Sequence, residues 1–222
     1  MSLNAKTVPK AGGGNKQPIL DIGTYPARVV RIIDLGLQPQ RPFKGKDKPP
    51  AHEVNISYEL LDAFMVDEDG NEQEDKPRWI HETFPLHNLS ADLAKSTKRY
   101  MALDPNMDFD GDFTKLIGIP CNVTVVHGQG KGQNAGKIYE NIGGVSAMRD
   151  KDAKRAPELV NEGQVFTLDD PDMEVFNGFP QWLQDKIKSN LEFGGSKLEM
   201  ALGGESESMP TEEASDEEKE AW

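Results

Sequence analysis

HEVNISYELLDAF, residues 52–64, alternates Val54, Ile56, Tyr58 and Leu60 with Glu53, Asn55, Ser57 and Glu59. A period of two turns one set of side chains to a core and the other to water, which predicts a half-buried strand. Upstream, ILDIGTYPARVVRIIDLGLQ (19–38) is rich in β-branched residues and predicts a first strand over Tyr25–Leu35 that bends at Gly36. Between these two runs, PQRPFKGKDKPP (39–50) is bounded by prolines and predicts a loop, because proline is excluded from interior strands and helices. Downstream, the acidic run DEDGNEQED (67–75) with Asp69-Gly70 predicts a hairpin connection to a third strand, RWIHETFPL (78–86). In that strand Ile80 and Phe84 share one face, and Trp79 and His81 the other.

Ser90 reads as the N-cap of a helix that runs to Leu103 and stops at Asp104-Pro105. IPCNVTVVHG (119–128) and KIYENIGGV (137–145) predict a fourth and a fifth strand across the glycine-rich GQGKGQNAG (128–136). Three strands, a helix and two further strands is the order of a five-stranded OB-fold barrel, so the expected class is mainly β (α+β). That barrel is assigned to residues 19–165. A C-terminal extension, 166–204, carries an amphipathic helix over Pro180–Leu191, with Leu183, Ile187 and Leu191 at every fourth position. Residues 1–18 hold Lys6, Lys10 and Lys16 with no acid and read as a flexible basic arm. Residues 205–222 have no apolar periodicity and read as a disordered acidic tail.

The formal charge of −13 over 222 residues is unevenly placed. Residues 1–165 hold 21 bases and 23 acids, whereas 166–222 hold 4 bases and 15 acids, eight of those acids lying after residue 204. With the 67–75 run set aside, the body is mildly basic, which is compatible with a nucleic-acid partner. A single cysteine, Cys121, excludes a disulfide framework and any two-thiolate metal or redox centre, and its alternation with Val123 and Val125 places it in the core. No apolar run approaches 18 residues and the amino terminus has no hydrophobic stretch, so a cytoplasmic protein is expected.

Motifs for chemistry are weak. GQGKGQNAGK lacks the P-loop spacing, since Lys131 stands where the first glycine belongs and Ile138 follows Lys137. Asn106, Asp108, Asp110 and Gly111 imitate half a calcium loop, but position twelve is Ile117 where glutamate is required. His52, His81, His87 and His127 show no zinc spacing. The expectation is therefore a non-enzyme without cofactor or metal. What stands out instead is bases beside aromatics: Arg28, Arg31, Arg41, Phe43, Lys44, Lys46, Lys48, Arg78, Trp79, Lys131, Lys137 and Tyr139. Cations follow phosphates and exposed rings stack on bases, the requirements of single-strand binding. Trp79 either stacks on a base or packs beneath the C-terminal helix, and Tyr139 opposes Ile138 and Ile142 in strand parity, which favours the open face.

GTYPARVVRIIDLG (23–36), KIYENIGGV and an acidic tail ending in an aromatic residue together resemble the single-stranded DNA-binding proteins of bacteriophage replication modules. The resemblance implies sequence-independent coating of single-stranded DNA in host cytoplasm during replication and recombination. It also implies recruitment of replication and recombination proteins by the tail, here through Glu217, Glu218, Glu220 and Trp222. The tail ends in EKEAW where the family has Asp-Ile-Pro-Phe or Asp-Phe endings. An alternative of another class is an adaptor or DNA mimic that acts through the acidic tail, with the barrel as scaffold.

Overall fold

The computed structural model of the chain describes residues 17–203; the basic arm up to residue 16 and the acidic tail lie outside them. In chain order the elements are β1 (Gly23–Phe43), β2 (Lys46–Val66), β3 (Glu72–Pro85), α1 (Lys95–Leu103), β4 (Pro120–Gln129) and β5 (Ile138–Ala147). They continue with α2 (Asp150–Ala153), β6 (Gln164–Phe166), α3 (Met173–Gly178), α4 (Gln181–Lys188) and α5 (Lys197–Ala201). The architecture is mainly β, a single six-stranded sheet in the order β3-β2-β1-β4-β5, with β6 parallel to β1 beside this path. Among the described residues no hydrogen-bonded ladder joins the two ends of the path, so the sheet is open, in contrast to the expected barrel. Arg78 of β3 and Glu140 of β5 draw those ends together with an ion pair at 2.7 Å.

The expected strands all form, and β1 and β2 run further than their apolar patterns. The prolines of 39–50 do not interrupt them: pairing continues through Gln38↔Ala51 and Gln40↔Lys48 to Phe43↔Lys46. The expected loop is thus a two-stranded ribbon whose tip, Lys44-Gly45, has φ of +52° and +76°, the left-handed pair of a tight hairpin turn. A two-stranded ribbon needs hydrogen bonds on one side of each strand only, and proline is tolerated where its nitrogen faces solvent.

Gly36 is the bend anticipated in β1. It has φ +71°, the β1–β2 register shifts between Asp34 and Leu37, and a Cβ there would lie 2.7 Å from the Asn190 side chain. The kink lets β1 serve two cores. Ala27, Val29 and Ile32 pack inside the curl of the sheet with Ile56, Tyr58, Leu60, Ile80, Phe84, Tyr100, Cys121 and Val123. Ile33 and Leu35 face outward into a second cluster with Phe166, Phe176, Phe179, Leu183, Ile187 and Leu198. Cys121 is fully buried, as its alternation predicted, and burial pushes its thiol up to about 12.

The second cluster overturns one expectation. Asn55, Ser57 and Glu59 were assigned to water, yet they are 2%, 1% and 0% exposed because the chain after residue 156 folds across that face. A strand pattern reports which side chains are apolar; it does not report what a distant segment lays over the polar ones.

Both helices are shorter than expected. Ser90 caps nothing: its amide donates to Asn88 Oδ1 in a local turn, and α1 begins at Lys95 with Ala94 as its N-cap. Short Asn and Ser side chains bind nearby backbone and compete with helix. Leu93 is left exposed outside the helix. Likewise α4 ends at Lys188, so Leu183 and Ile187 are buried while Leu191 lies beyond the helix and is exposed. The strand β6, which spans the boundary drawn at residue 165, has too little sequence to show a period.

Candidate nucleic-acid interface

The ribbon carries Arg41, Phe43, Lys44, Lys46 and Lys48, all exposed. The Lys44 and Lys48 ammonium groups lie 5.4 and 5.0 Å from the centroid of the Phe43 ring. None of these four cations takes part in an ion pair among the described residues, and Asp47 is the one acid between them. At the ribbon's base opens a groove of about 810 Å³, walled by Leu37, Pro49, Pro50, Pro85 and Leu86, with Lys48, His52 and His87 as its basic groups and no carboxylate in its lining. Glu53, next in the chain after His52, is held by Lys186 at 2.8 Å and by Gln40. Phosphate would meet uncompensated positive charge here, and bases would meet apolar walls and a ring.

The other candidates sit differently. Arg28 is 7% exposed and gives four hydrogen bonds, to the carbonyls of Pro157, Gly118 and Ala156 and to Glu158. Arg78 binds Glu140 and the carbonyl of Pro18. Both fasten the framework, and their charge is committed within the fold. Trp79 is half-buried, with its indole N–H donating to Glu59 at 3.2 Å. Glu59 also accepts from the Val160 amide and from both the amide and the side chain of Asn161. The Arg31 guanidinium lies between two rings, 5.3 Å from the centroid of Trp79 and 5.7 Å from that of Phe179. Its pKa falls because burial disfavours the charge. Trp79 is thus tied into the fold, to Glu59 directly and to Phe179 of the extension across the Arg31 guanidinium.

Lys131, Lys137 and Tyr139 belong to the β4–β5 hairpin. The register Gly23↔Val125 sends this hairpin past the start of β1, whereas the ribbon tip lies past its end. Sequence thus grouped twelve residues that the fold divides into a free ribbon, a covered sheet face and a hairpin remote from the ribbon tip; Arg78 is tied to that hairpin through Glu140. Tyr139 and Ile138 are exposed, and Lys137 donates to Asn134.

Sequence reading missed the apolar groove and the π-rich cover. Pro49-Pro50 and Phe84-Pro85-Leu86 flank basic or histidine positions and could have indicated the groove. Phe176, Phe179 and Trp182 recur every three residues, a signal that the extension presents rings. Trp182 stacks on His81 with centroids 6.3 Å apart, and burial together with the Arg31 charge lowers the His81 pKa. The Asn106–Gly111 segment forms a turn in which Asp104 accepts from the Asp108 and Phe109 amides and from the Tyr100 hydroxyl. The chain matches no protein-family model and no curated protein.

Proposed function

We propose that this chain is a non-enzymatic single-stranded DNA-binding protein of the OB-fold type, coating DNA in bacteriophage replication and recombination. The observation that carries the reading is the ribbon: four unpaired cations around an exposed ring, above an apolar groove free of carboxylates. Phosphates require the first and bases the second, and neither demands a particular sequence. The strand order, the helix between the third and fourth strands, and the Arg78–Glu140 pair between the path's ends support an OB-type arrangement. In the same reading the tail, residues 205–222, recruits replication proteins through Trp222, and its acids compete with DNA for the ribbon at low salt.

The test is a salt titration of binding to single-stranded oligonucleotides and to duplex of the same sequence. Single strands bind more tightly, and log affinity falls steeply with log salt. If no oligonucleotide binds while the tail still captures replication proteins, the chain is an adaptor with the β domain as its scaffold.

A further inference from the structure

Arg31 is the anomaly of the molecule. Its Nε is buried without an acceptor, and none of its guanidinium N–H groups donates to a described residue; Ser57, its cross-strand partner, also has a buried hydroxyl with no partner. Buried polar groups are almost always hydrogen-bonded, so an unpaired guanidinium needs a reason. Trp79 and Phe179 lie over it within cation–π range, leaving the edge of the planar fork for new hydrogen bonds. Arg31 and Phe179 line a polar pocket of about 580 Å³ between β6 and α3, in the size range of small-molecule sites.

The remaining charge of that pocket is acidic. Glu162, Asp172 and Glu174 line it; Asp172 spends one oxygen capping α3, while the other two carboxylates have no partner among the described residues. Three acids against one base disfavour a phosphate inside the pocket itself, so the backbone of any strand stays outside it. An occupant that pairs with both sides carries acceptors on one edge for Arg31 and donors on another for the carboxylates.

Among nucleobases, guanine alone has adjacent acceptors, O6 and N7, on one edge and adjacent donors, N1–H and the N2 amino group, on the next. Adenine would turn its N6 donor towards the guanidinium; thymine has a single N–H, and cytosine, although it pairs the acceptors O2 and N3, has the N4 amino group as its sole donor. We propose that the pocket between β6 and α3 is a guanine site, in which Arg31 reads O6 and N7 and the carboxylates of Glu162 and Glu174 accept from N1–H and N2. It rests on the single-strand reading and adds one base-selective position to an otherwise sequence-tolerant track. A duplex cannot use it, because N1 and N2 are already paired there.

The experiment compares labelled oligo-dT strands carrying one central dT, dG, dA or deoxyinosine, bound to the full chain at fixed salt. The dG strand binds about tenfold more tightly than all-dT, a bidentate contact's worth. Deoxyinosine, which lacks the N2 amino group, falls between them, and dA equals dT. In Glu162→Gln/Glu174→Gln, two exposed positions, the preference for dG collapses while dT binding persists. Equal affinity of the parent for dG and dT strands overturns the guanine site and leaves the strand reading intact. If no strand binds, the strand reading fails, and titration of guanosine against thymidine decides the pocket: guanosine-selective binding lost in Arg31→Gln upholds it, and no binding overturns it.

Discussion

The ribbon and the outer face of β1–β3 carry the same pairing, a cation beside an aromatic ring, in opposite surroundings. On the ribbon, Lys44 and Lys48 flank Phe43 in water. On the sheet, Arg31 sits between Trp79 and Phe179 under a cover of residues from the far end of the chain. A cation in water keeps its charge available to phosphate at little cost; a cation under a cover loses hydration and answers only to a ligand that fits its exposed edge. The same pairing of cation and ring therefore implies broad, salt-sensitive contact in one place and stability or selectivity in the other.

The largest effect that could break this contrast belongs to Glu59. Its buried carboxylate holds four N–H groups from Trp79, Val160 and Asn161. Glu59→Ala leaves them unpaired and lowers stability by roughly 3–5 kcal/mol, read by urea unfolding, while the folded fraction keeps its affinity for single strands. An unchanged unfolding midpoint would show that the cover is not fastened there.

A crossed pair of substitutions sharpens the comparison further. Phe43→Ala weakens strand binding by about 1–3 kcal/mol without moving the unfolding midpoint. Trp79→Ala does the reverse, lowering stability by about 2–3 kcal/mol through lost packing and leaving oligo-dT affinity in place. Should Trp79→Ala cost more binding than Phe43→Ala, the sheet face is the open site and the ribbon is not.

Substituting Lys44, Lys46 and Lys48 together by Ala removes three phosphate contacts, so the slope of log affinity on log salt shrinks by about 2 for a single strand. A slope equal to the parent's would remove these lysines from the interface. The smallest effect concerns His81. Its folded pKa lies below the ordinary 6.5 because burial and Arg31 oppose the imidazolium, so the unfolded chain takes up the proton first. This contribution to stability is present above pH 6.5 and is lost as pH falls through the window beneath it. His81→Phe flattens the pH dependence of the urea midpoint there, and an identical profile for parent and variant would remove the coupling between His81 and Arg31.

Much of the framework was legible because it depends on local alternation. Val54 to Leu60, Ile80 with Phe84, and Cys121 with Val123 and Val125 face the core that their spacing predicted. The bend at Gly36 was legible for the same reason, since only glycine accepts that φ cheaply. The site was legible in residue type and illegible in grouping. Nothing near Arg28 announces that the carbonyls of Gly118, Ala156 and Pro157 will take its hydrogen bonds, and nothing near Arg78 announces Glu140.

By itself, then, the amino-acid sequence determined a mainly β sheet, its strand order along the chain, the burial of its apolar faces, and a cluster of lysines about Phe43. Tertiary structure alone decided that 39–50 would pair as a free ribbon and that Asn55, Ser57 and Glu59 would be dry. It likewise decided that Arg31 would lie between rings over an acidic pocket. The physical reason is range: side-chain alternation is set by backbone geometry between neighbours, whereas exposure, charge pairing and access depend on contacts between residues far apart in the chain, 62 positions for Arg78 and Glu140 and 129 for Arg28 and Pro157.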